Sequence, residues 1–286
     1  MKLKKVFNNI FQKINILSLD VVAGSMMTGI FACKVLHVEL HFWWIAILVL
    51  AVWVMYTADH LLDAWRKKAH ASIKRHLFHY KNIRTVLPVW IAIAIACIVL
   101  SLMMLEKDII YLGILLGICI LIYFGVVYFN KEKRPFFLQK ELFIALIYVL
   151  GIWLAPIVWY GKNPDGTTLM IIANLVLLAW TEGILVSWFE LHDDMTDKHM
   201  SFTVLFGKKT SKRFICFLLI LVFVFSISGI FFMSNNPTIR MAFVIELMMG
   251  LVLALLISLP EVFSKNEQYR YVGEASFLLP GLIMII

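Results

Sequence analysis

The fold class is decided by one stretch of the chain, Val86–Leu105, with the sequence VLPVWIAIAIACIVLSLMML. It contains no charged residue, and about 20 apolar residues are what an α-helix needs to cross a bilayer. The whole chain has the same character. Of its 286 residues, 62% are hydrophobic and 15% are charged, whereas a typical soluble domain has about 45–50% and about 25%. The sequence therefore predicts an integral membrane protein.

Outward from this stretch, about nine segments are long and apolar enough to span a membrane. They cover residues 16–38, 41–58, 86–105, 109–129, 142–160, 168–189, 214–233, 241–259 and 271–286. Residues 1–15 combine four lysines with apolar residues at three- and four-residue spacing, a pattern typical of an amphipathic helix on a membrane surface. We predict an all-α, polytopic membrane helix bundle in which residues 1–286 form a single domain.

Lys and Arg are distributed unequally between the two ends of these spans. If the spans alternate in direction, only Lys34, Lys107, Lys162 and Arg240 of the 26 Lys and Arg residues fall opposite the N-terminus. The positive-inside rule then places the N-terminus and the long loops in the cytoplasm, at the inner or plasma membrane of the cell. The net charge of +8 does not indicate a nucleic-acid partner, because no basic face interleaved with aromatic residues accompanies it. The partner it indicates is the lipid bilayer.

Acidic residues mark the end of the second predicted span, where Tyr56–Arg66 has the sequence YTADHLLDAWR. On a helix, Asp59 and Asp63 are four residues apart and project from one face. Like charges at this spacing repel each other, so a neighbouring cation should compensate them. Arg66 is one candidate, and Mg²⁺ is a better one because paired carboxylates suit hard cations.

The sixth predicted span ends in the same way, with the sequence ELHDDMTDK. Glu190, Asp193 and Asp197 are three and four residues apart, again on one helical face. Two acidic helix ends on one side of a bundle would meet, and Mg²⁺ fills the coordination sites that carboxylates leave open with water and substrate phosphates. The two clusters therefore predict a diphosphate clamp. The alternative is that these acids only balance the basic loops at the lipid headgroups.

These motifs resemble those of the UbiA family of intramembrane prenyltransferases, which has about nine membrane helices. That family carries the patterns NDxxDxxxD and DxxDxxxD at the ends of its second and sixth helices. Asp59 and Asp63 match the last two acids of the first pattern. Glu190, Asp193 and Asp197 match the second, with Glu in place of the leading Asp.

Two further segments bear on this resemblance. Tyr128–Arg134, with the sequence YFNKEKR, resembles the Tyr-, Lys- and Arg-rich stretch that follows helix four of the family, and Thr203–Lys209 resembles its Thr-Leu-x-x-x-x-Gly-Lys segment at a shorter spacing. The chain departs from the family at Met55 and Tyr56, which occupy the Asn and Asp positions of the first pattern. Two potential metal or phosphate contacts are therefore missing.

The resemblance implies Mg²⁺-dependent transfer of a prenyl group from an isoprenyl diphosphate to an aromatic or other lipophilic acceptor. It implies metal binding by Asp59, Asp63, Glu190, Asp193 and Asp197. The residues expected to contact the diphosphate are Lys133, Arg134 and Lys198, followed by Arg66 and Arg75, with Tyr128 as a further binding residue.

Glu182 is a further candidate, because it lies within the sixth span two turns before Glu190. An ionisable group at that depth faces a cavity or a partner. Glu182 could orient or deprotonate the acceptor, or it could pair with a polar neighbour in a purely structural role.

Four other functions compete with prenyl transfer. A UbiA-like terpene cyclase would use the same residues. A CDP-alcohol phosphotransferase is disfavoured because its DGxxAR…GxxxDxxxD signature is absent from the sequence. A transporter should show inverted repeats or glycine-broken helices, and the sequence shows no convincing repeat. A non-catalytic membrane scaffold would not require two acid clusters at helix ends.

Overall fold

The structure is a computed structural model that describes residues 13–67, 74–129, 140–197, 200–233 and 236–285. The secondary structure of this part of the chain is helical, with no strand among the described residues. Helices are expected here, because lipid offers no hydrogen-bond partners and a helix satisfies its backbone groups internally.

Among the described residues, eight helices are long and apolar enough to cross a membrane. They are α1 (Leu19–Leu36), α2 (Phe42–Lys67), α3 (Ile83–Met104), α4 (Lys107–Phe129), α5 (Lys140–Tyr160), α6 (Gly166–Phe189), α7 (Lys208–Ser228) and α8 (Pro237–Ser258). They confirm the predicted fold class of a polytopic all-α membrane bundle.

Short helices connect or extend these eight. The α-helical ones are Lys74–Lys81, Leu191–Thr196, Phe202–Phe206, Pro260–Phe263 and Gln268–Ser276. A π-helix, Gly229–Met233, continues α7, and 3₁₀-helices cover Lys265–Glu267 and Leu279–Ile285.

The core of the bundle lies where α1, α5, α6, α7 and α8 pack together. Trp153, Phe31 and Phe243 are among its largest fully buried side chains, and the rings of Phe31 and Trp153 meet edge to face at 6.2 Å. The remaining long helices are more peripheral: α3 packs on α2, and α4 packs on α5. The structure describes α3 throughout, and none of its residues is buried. The outer faces of α3 and α4 are therefore the faces suited to lipid.

The predicted ninth span, residues 271–286, is not one continuous helix. Gln268–Ser276 ends, and Leu279–Ile285 follows as a 3₁₀-helix against α1 and α8. Pro280 lies at this change, and proline has no N–H with which to continue an α-helix. The predicted surface helix over residues 1–15 falls outside the described residues, except for its last three positions.

Candidate active site

A polar cavity of about 210 Å³ lies between α2, α5 and α6. α2 contributes Asp59 and Asp63, α5 contributes Lys140 from its first position, and α6 contributes Glu182 and Glu190. The fold thus brings Asp59 and Asp63 of the second predicted span and Glu182 and Glu190 of the sixth to one cavity.

The first acid pair lies on an uninterrupted helix, because α2 continues to Lys67 rather than ending near residue 58. Asp59 and Asp63 are one turn apart and both line the cavity, and Asp63 is only 7% exposed. The ammonium group of Lys140 interacts electrostatically with both carboxylates. Lys140 is a site residue that sequence analysis missed, because it belongs to no motif and comes from a distant helix.

The second acid cluster is split by a bend. α6 ends at Phe189, Glu190 takes φ −92° and ψ 9°, and a separate short helix, Leu191–Thr196, follows. Glu190 and Asp194 line the cavity, whereas Asp193 and Asp197 are not among the residues that line it. Asp194 was missed by sequence analysis, although its four-residue spacing from Glu190 was a usable signal.

Glu190 is held by the C-terminal part of the chain. Its Oε1 accepts a hydrogen bond from the hydroxyl of Tyr269 at 2.9 Å and forms a buried ion pair with Arg270. The ring of Tyr269 stacks on Phe189, with ring centroids 4.4 Å apart and planes 4° from parallel. Helix Gln268–Ser276 is thereby fastened to the end of α6.

A further polar group occupies the side of the cavity near α1. Glu182 lines the cavity, and so do Arg75 and Glu274, whose charged groups lie 4.0 Å apart. The Asn15 amide donates to Asp20 at 2.7 Å and also to Glu274. Glu182 therefore lines the same cavity as Asp59, Asp63 and Glu190.

Acidic side chains outnumber basic ones in the lining of the cavity. Among the described residues, seven carboxylates line it against two cations, Arg75 and Lys140. These carboxylates belong to Asp59, Asp63, Glu141, Glu182, Glu190, Asp194 and Glu274. Glu141 accepts a hydrogen bond from the Phe202 backbone N–H at 2.8 Å, and Glu190 and Glu274 are paired as described above. An anionic ligand would still require additional cations to enter.

The fit of this donor set to Mg²⁺ differs between the two clusters. Within the described residues, no three His, Cys, Asp or Glu side chains come together as a ready-made metal site. Mg²⁺ usually needs only one or two carboxylates and takes its remaining ligands from water and phosphates. Asp59 and Asp63 meet that requirement. Glu190 meets it poorly, because Arg270 already balances its charge.

An apolar groove of about 480 Å³ lies beside the cavity, enclosed by α2, α3, α4 and α5. Gly113, Gly117 and Gly151 line it, and a Cβ atom built on any of them would meet no atom within 4 Å. The groove therefore has free width at these depths. Its apolar walls suit a hydrocarbon chain.

A small space of about 40 Å³, which we call the neck, lies between the cavity and the groove and shares lining residues with both. It shares Tyr56 and Asp59 with the cavity and Met55 with the groove. Tyr123 and Phe143 form its aromatic wall, with stacked rings at a centroid distance of 4.6 Å. Met55 and Tyr56, which depart from the UbiA pattern, therefore lie where the polar space becomes apolar.

Several predicted contacts cannot be placed against this geometry. Lys133, Arg134 and Lys198 lie outside the described residues. Arg66 and Tyr128 belong to α2 and α4, but their side chains are likewise outside what the structure describes.

A buried histidine lies beside the cavity on the short helix Lys74–Lys81. His79 donates from Nδ1 to the Arg75 carbonyl oxygen at 2.7 Å, and its ring centroid is 5.2 Å from that of His60. Burial lowers the pKa of His79 from its usual value of 6.5. The positive charge of Arg75 lowers this pKa further, and the hydrogen bond to the carbonyl opposes the shift.

The lowered pKa predicts how stability depends on pH. Because the folded protein keeps His79 neutral, the unfolded chain binds the proton first, and the free energy of unfolding decreases as pH falls below about 6.5. Replacing His79 with Gln should reduce this decrease, as measured by thermal unfolding in detergent between about pH 7.5 and about pH 5.5. His192→Gln, at an exposed position, is the control. An equally steep loss in the His79 variant would contradict this assignment.

Comparisons with known proteins were informative only at the level of structure. No protein-family model matches the chain, and no curated protein matches its sequence. A solved structure of digeranylgeranylglyceryl phosphate synthase in membranes, a UbiA-family prenyltransferase, superposes with a TM-score of 0.55. The match covers 99% of this chain and 98% of that one. The chain has the UbiA-type fold.

This UbiA-type fold is shared at only 16% sequence identity. Near-complete coverage of both chains means that the whole described bundle, and not one part of it, follows the same architecture. At this identity the likeness establishes the fold and no more.

Proposed function

We propose that this protein transfers a prenyl group from an isoprenyl diphosphate to a lipophilic acceptor within the membrane. The observation that carries the proposal is the arrangement of three adjacent spaces that share lining residues: an acid-lined cavity, an aromatic neck and an apolar groove. A prenyl diphosphate has the same order of parts, with a charged head, an allylic carbon and a hydrocarbon tail. The head fits the cavity, and the tail fits the groove.

The charge of the cavity supports a requirement for divalent cations. A diphosphate is itself anionic and would be repelled by a cavity in which carboxylates outnumber cations. Asp59 and Asp63 would hold Mg²⁺, which when bound would neutralise the diphosphate and stabilise the charge that develops on the leaving group. Lys140, beside both carboxylates, would contact the diphosphate oxygens directly and share this role.

The chemistry assigned to the site begins with heterolysis of the bond between the allylic carbon and the diphosphate oxygen. Both electrons of that bond leave with the pyrophosphate, and positive charge develops on the prenyl carbon. This carbon would lie in the neck, where the faces of Tyr123 and Phe143 can stabilise a cation and where apolar walls exclude water. The charged head and the tail fix the position of the carbon between them.

The acceptor completes the reaction from the side of the cavity that holds Glu182. An electron pair of the acceptor forms the new bond to the prenyl carbon, and the proton that the acceptor loses passes to the Glu182 carboxylate. Arg75 and Glu274 line the same side and would orient the polar part of the acceptor. We place this site at the cytoplasmic face of the inner or plasma membrane, because the basic loops lie at this end of the spans.

The proposed function predicts that a prenyl diphosphate binds only with a divalent cation. Wild-type protein in detergent should bind geranylgeranyl diphosphate in the presence of Mg²⁺ and lose that binding when EDTA is added. Asp59→Asn should weaken Mg²⁺-dependent binding by on the order of 10-fold to 100-fold, because one of two carboxylate ligands is lost. Isothermal titration calorimetry measures both affinities.

The control for this experiment is Asp108→Asn, which removes an exposed carboxylate at the opposite end of the bundle. It should bind as the wild type does. A protein that binds no prenyl diphosphate of any chain length with Mg²⁺ would be a scaffold or a transporter instead, and the proposal would be withdrawn.

A further inference from the structure

Five side chains line the part of the cavity that would receive the acceptor, and we call this part the acceptor side. They are Tyr56, Arg75, Tyr148, Glu182 and Glu274. Tyr56 lies close enough to the other four to interact electrostatically with each of them. The hydrogen-bonding groups and charges of these five side chains therefore decide which head groups fit here.

Other hydrogen-bond donors around the acceptor side are already used within the protein. Asn15 is only 4% exposed, and its amide nitrogen donates to both Asp20 and Glu274. Tyr148 is hydrogen-bonded to Thr28, whose own hydroxyl donates to a backbone carbonyl oxygen at 2.8 Å. The Tyr148 hydroxyl is therefore the donor in its bond to Thr28, and it offers the cavity only a lone pair.

The charge of the acceptor side is unfavourable for an anion. Among the described residues, Glu182 and Glu274 face one cation, Arg75, and that cation is already 4.0 Å from the Glu274 carboxylate. Asp20 adds a further carboxyl group behind Glu274, to which it is hydrogen-bonded. A carboxylate or phosphate placed here would meet like charges, which is a strong basis for rejecting it.

Glu182 is positioned by packing and presents its carboxylate to the cavity. It interacts with Arg75 and Asp20 electrostatically, and no described side chain donates a hydrogen bond to it. A Cβ atom built on Gly273 would lie only 3.3 Å from Glu182 Oε1, so this carboxylate oxygen fits closely against helix Gln268–Ser276. Its hydrogen-bonding capacity is therefore open to a donor on the ligand.

Tyr56 supplies the complementary group. It occupies the position at which the UbiA pattern has Asp, so the acceptor side has a neutral hydroxyl where the pattern would place another carboxylate. A phenolic hydroxyl can donate a hydrogen bond as well as accept one. Glu182 can only accept while it is ionised. Together the two side chains match a ligand group that both donates and accepts.

We propose that the acceptor side selects an uncharged compound with a hydroxyl head group, which donates to Glu182 and accepts from Tyr56. A hydroxyl is the simplest group with one donor and two acceptor positions. An ammonium group only donates, and its charge would lie near the carbon on which positive charge develops. The inference rests on the proposed function for the role of the bound compound, whereas its charge and its hydroxyl can be tested by binding alone.

Four probes with the same butylphenyl body separate these possibilities. At about pH 7, para-butylphenol and para-butylbenzyl alcohol are neutral hydroxyl compounds, para-butylbenzoate is an anion and para-butylbenzylamine is a cation. Wild-type protein in lipid nanodiscs should bind the better hydroxyl compound at least about 10-fold more tightly than the benzoate or the amine, as measured by isothermal titration calorimetry. Empty nanodiscs give the correction for partition into lipid. The two hydroxyl compounds distinguish an aromatic from an aliphatic hydroxyl.

Two variants assign the selectivity to named groups. Glu182→Gln keeps the shape and removes the charge, so affinity for the benzoate should rise by about 10-fold relative to the hydroxyl compounds. Tyr56→Phe removes only a hydroxyl and should weaken both hydroxyl compounds by about 3-fold to about 10-fold, with no change for the amine. Glu261→Gln, the matched control, removes an exposed carboxylate and should leave all four affinities unchanged.

Tighter binding of the benzoate or the amine by the wild type would overturn the inference, and so would a wild type that binds none of the four probes. Wild-type affinity for the hydroxyl compounds in Tyr56→Phe would also overturn it, and this result remains decisive if Glu182→Gln does not fold. Preference for a hydroxyl compound in a protein that binds no prenyl diphosphate would uphold the selectivity and contradict the proposed function. Binding of prenyl diphosphate with a preference for the benzoate would do the reverse.

Discussion

Replacing Asp63 with Asn is expected to lower the release of pyrophosphate from geranylgeranyl diphosphate by on the order of 10³-fold. Asp63 is buried, lines the cavity and lies one turn from Asp59. Asn has nearly the same shape, so the packing of α2 should survive the change. What disappears is one of two negative charges that would hold the divalent cation.

The expected effect is large because the Asp63 carboxylate would act on two groups, the divalent cation and the ammonium group of Lys140. Without its charge, Asp59 alone would hold the proposed divalent cation, and the electrostatic balance around Lys140 would be altered. Lys140 then pairs with the remaining carboxylate more completely and contributes less to the leaving group. Electrostatic stabilisation of a developing charge is typically the largest single contribution to such a reaction.

The measurement is the rate of pyrophosphate release in membrane vesicles that contain the expressed protein and its native acceptors. Asp108→Asn, the exposed substitution at the opposite end of the bundle, should release pyrophosphate at the wild-type rate. A wild-type rate in Asp63→Asn, at equal protein abundance, would show that the first acid pair does not serve the reaction.

The bundle itself could be predicted from the sequence because its determinants are local. Each long helix is an apolar run, and the hydropathy of a run such as Val86–Leu105 does not depend on the rest of the chain. The C-terminal span was different. This span is long and apolar enough to cross a membrane. Pro280 and close packing against α1 nevertheless favour two short helices over one continuous helix.

The candidate site could be predicted only in part, because its remaining determinants are not local. Asp59 and Asp63 lie on one helix, so helical periodicity suffices to place them together. The bend at Glu190 places Asp194, and not Asp193 or Asp197, at the cavity, and no sequence pattern predicts this bend. The ion pair joins Glu190 to Arg270 across 80 positions, a contact that a single sequence does not reveal.

The second large effect on prenyl transfer is expected when a glycine that lines the groove is replaced by tryptophan. Gly117→Trp should reduce the transfer of a geranylgeranyl group by on the order of 10²-fold, since a tail displaced by about 1 Å misplaces the reacting carbon. The indole would fill space that is now empty around Gly117. Because the tail comes from lipid and not from water, its transfer into the groove contributes little hydrophobic free energy. The effect of the tryptophan must therefore be steric.

The position of each glycine along α4 sets the length of tail that still fits. Gly117 and Gly113 are three and seven residues from Ile120, which lies at the neck, and an α-helix rises about 1.5 Å per residue. The blocks would therefore lie roughly 4.5 Å and roughly 10.5 Å into the groove. An isoprene unit has four backbone C–C bonds of about 1.5 Å and spans about 5 Å when extended.

Gly117→Trp should consequently retain activity with dimethylallyl diphosphate alone, and Gly113→Trp should also accept geranyl diphosphate. Gly125→Trp is the matched control, because Gly125 lies on the same helix with open space around it but does not line the groove. Competition among diphosphates of increasing length, assayed on all three variants, gives the cut-off for each. If the cut-offs do not shift with the depth of the tryptophan, the tail does not run along α4. The groove would then hold a membrane lipid rather than the substrate.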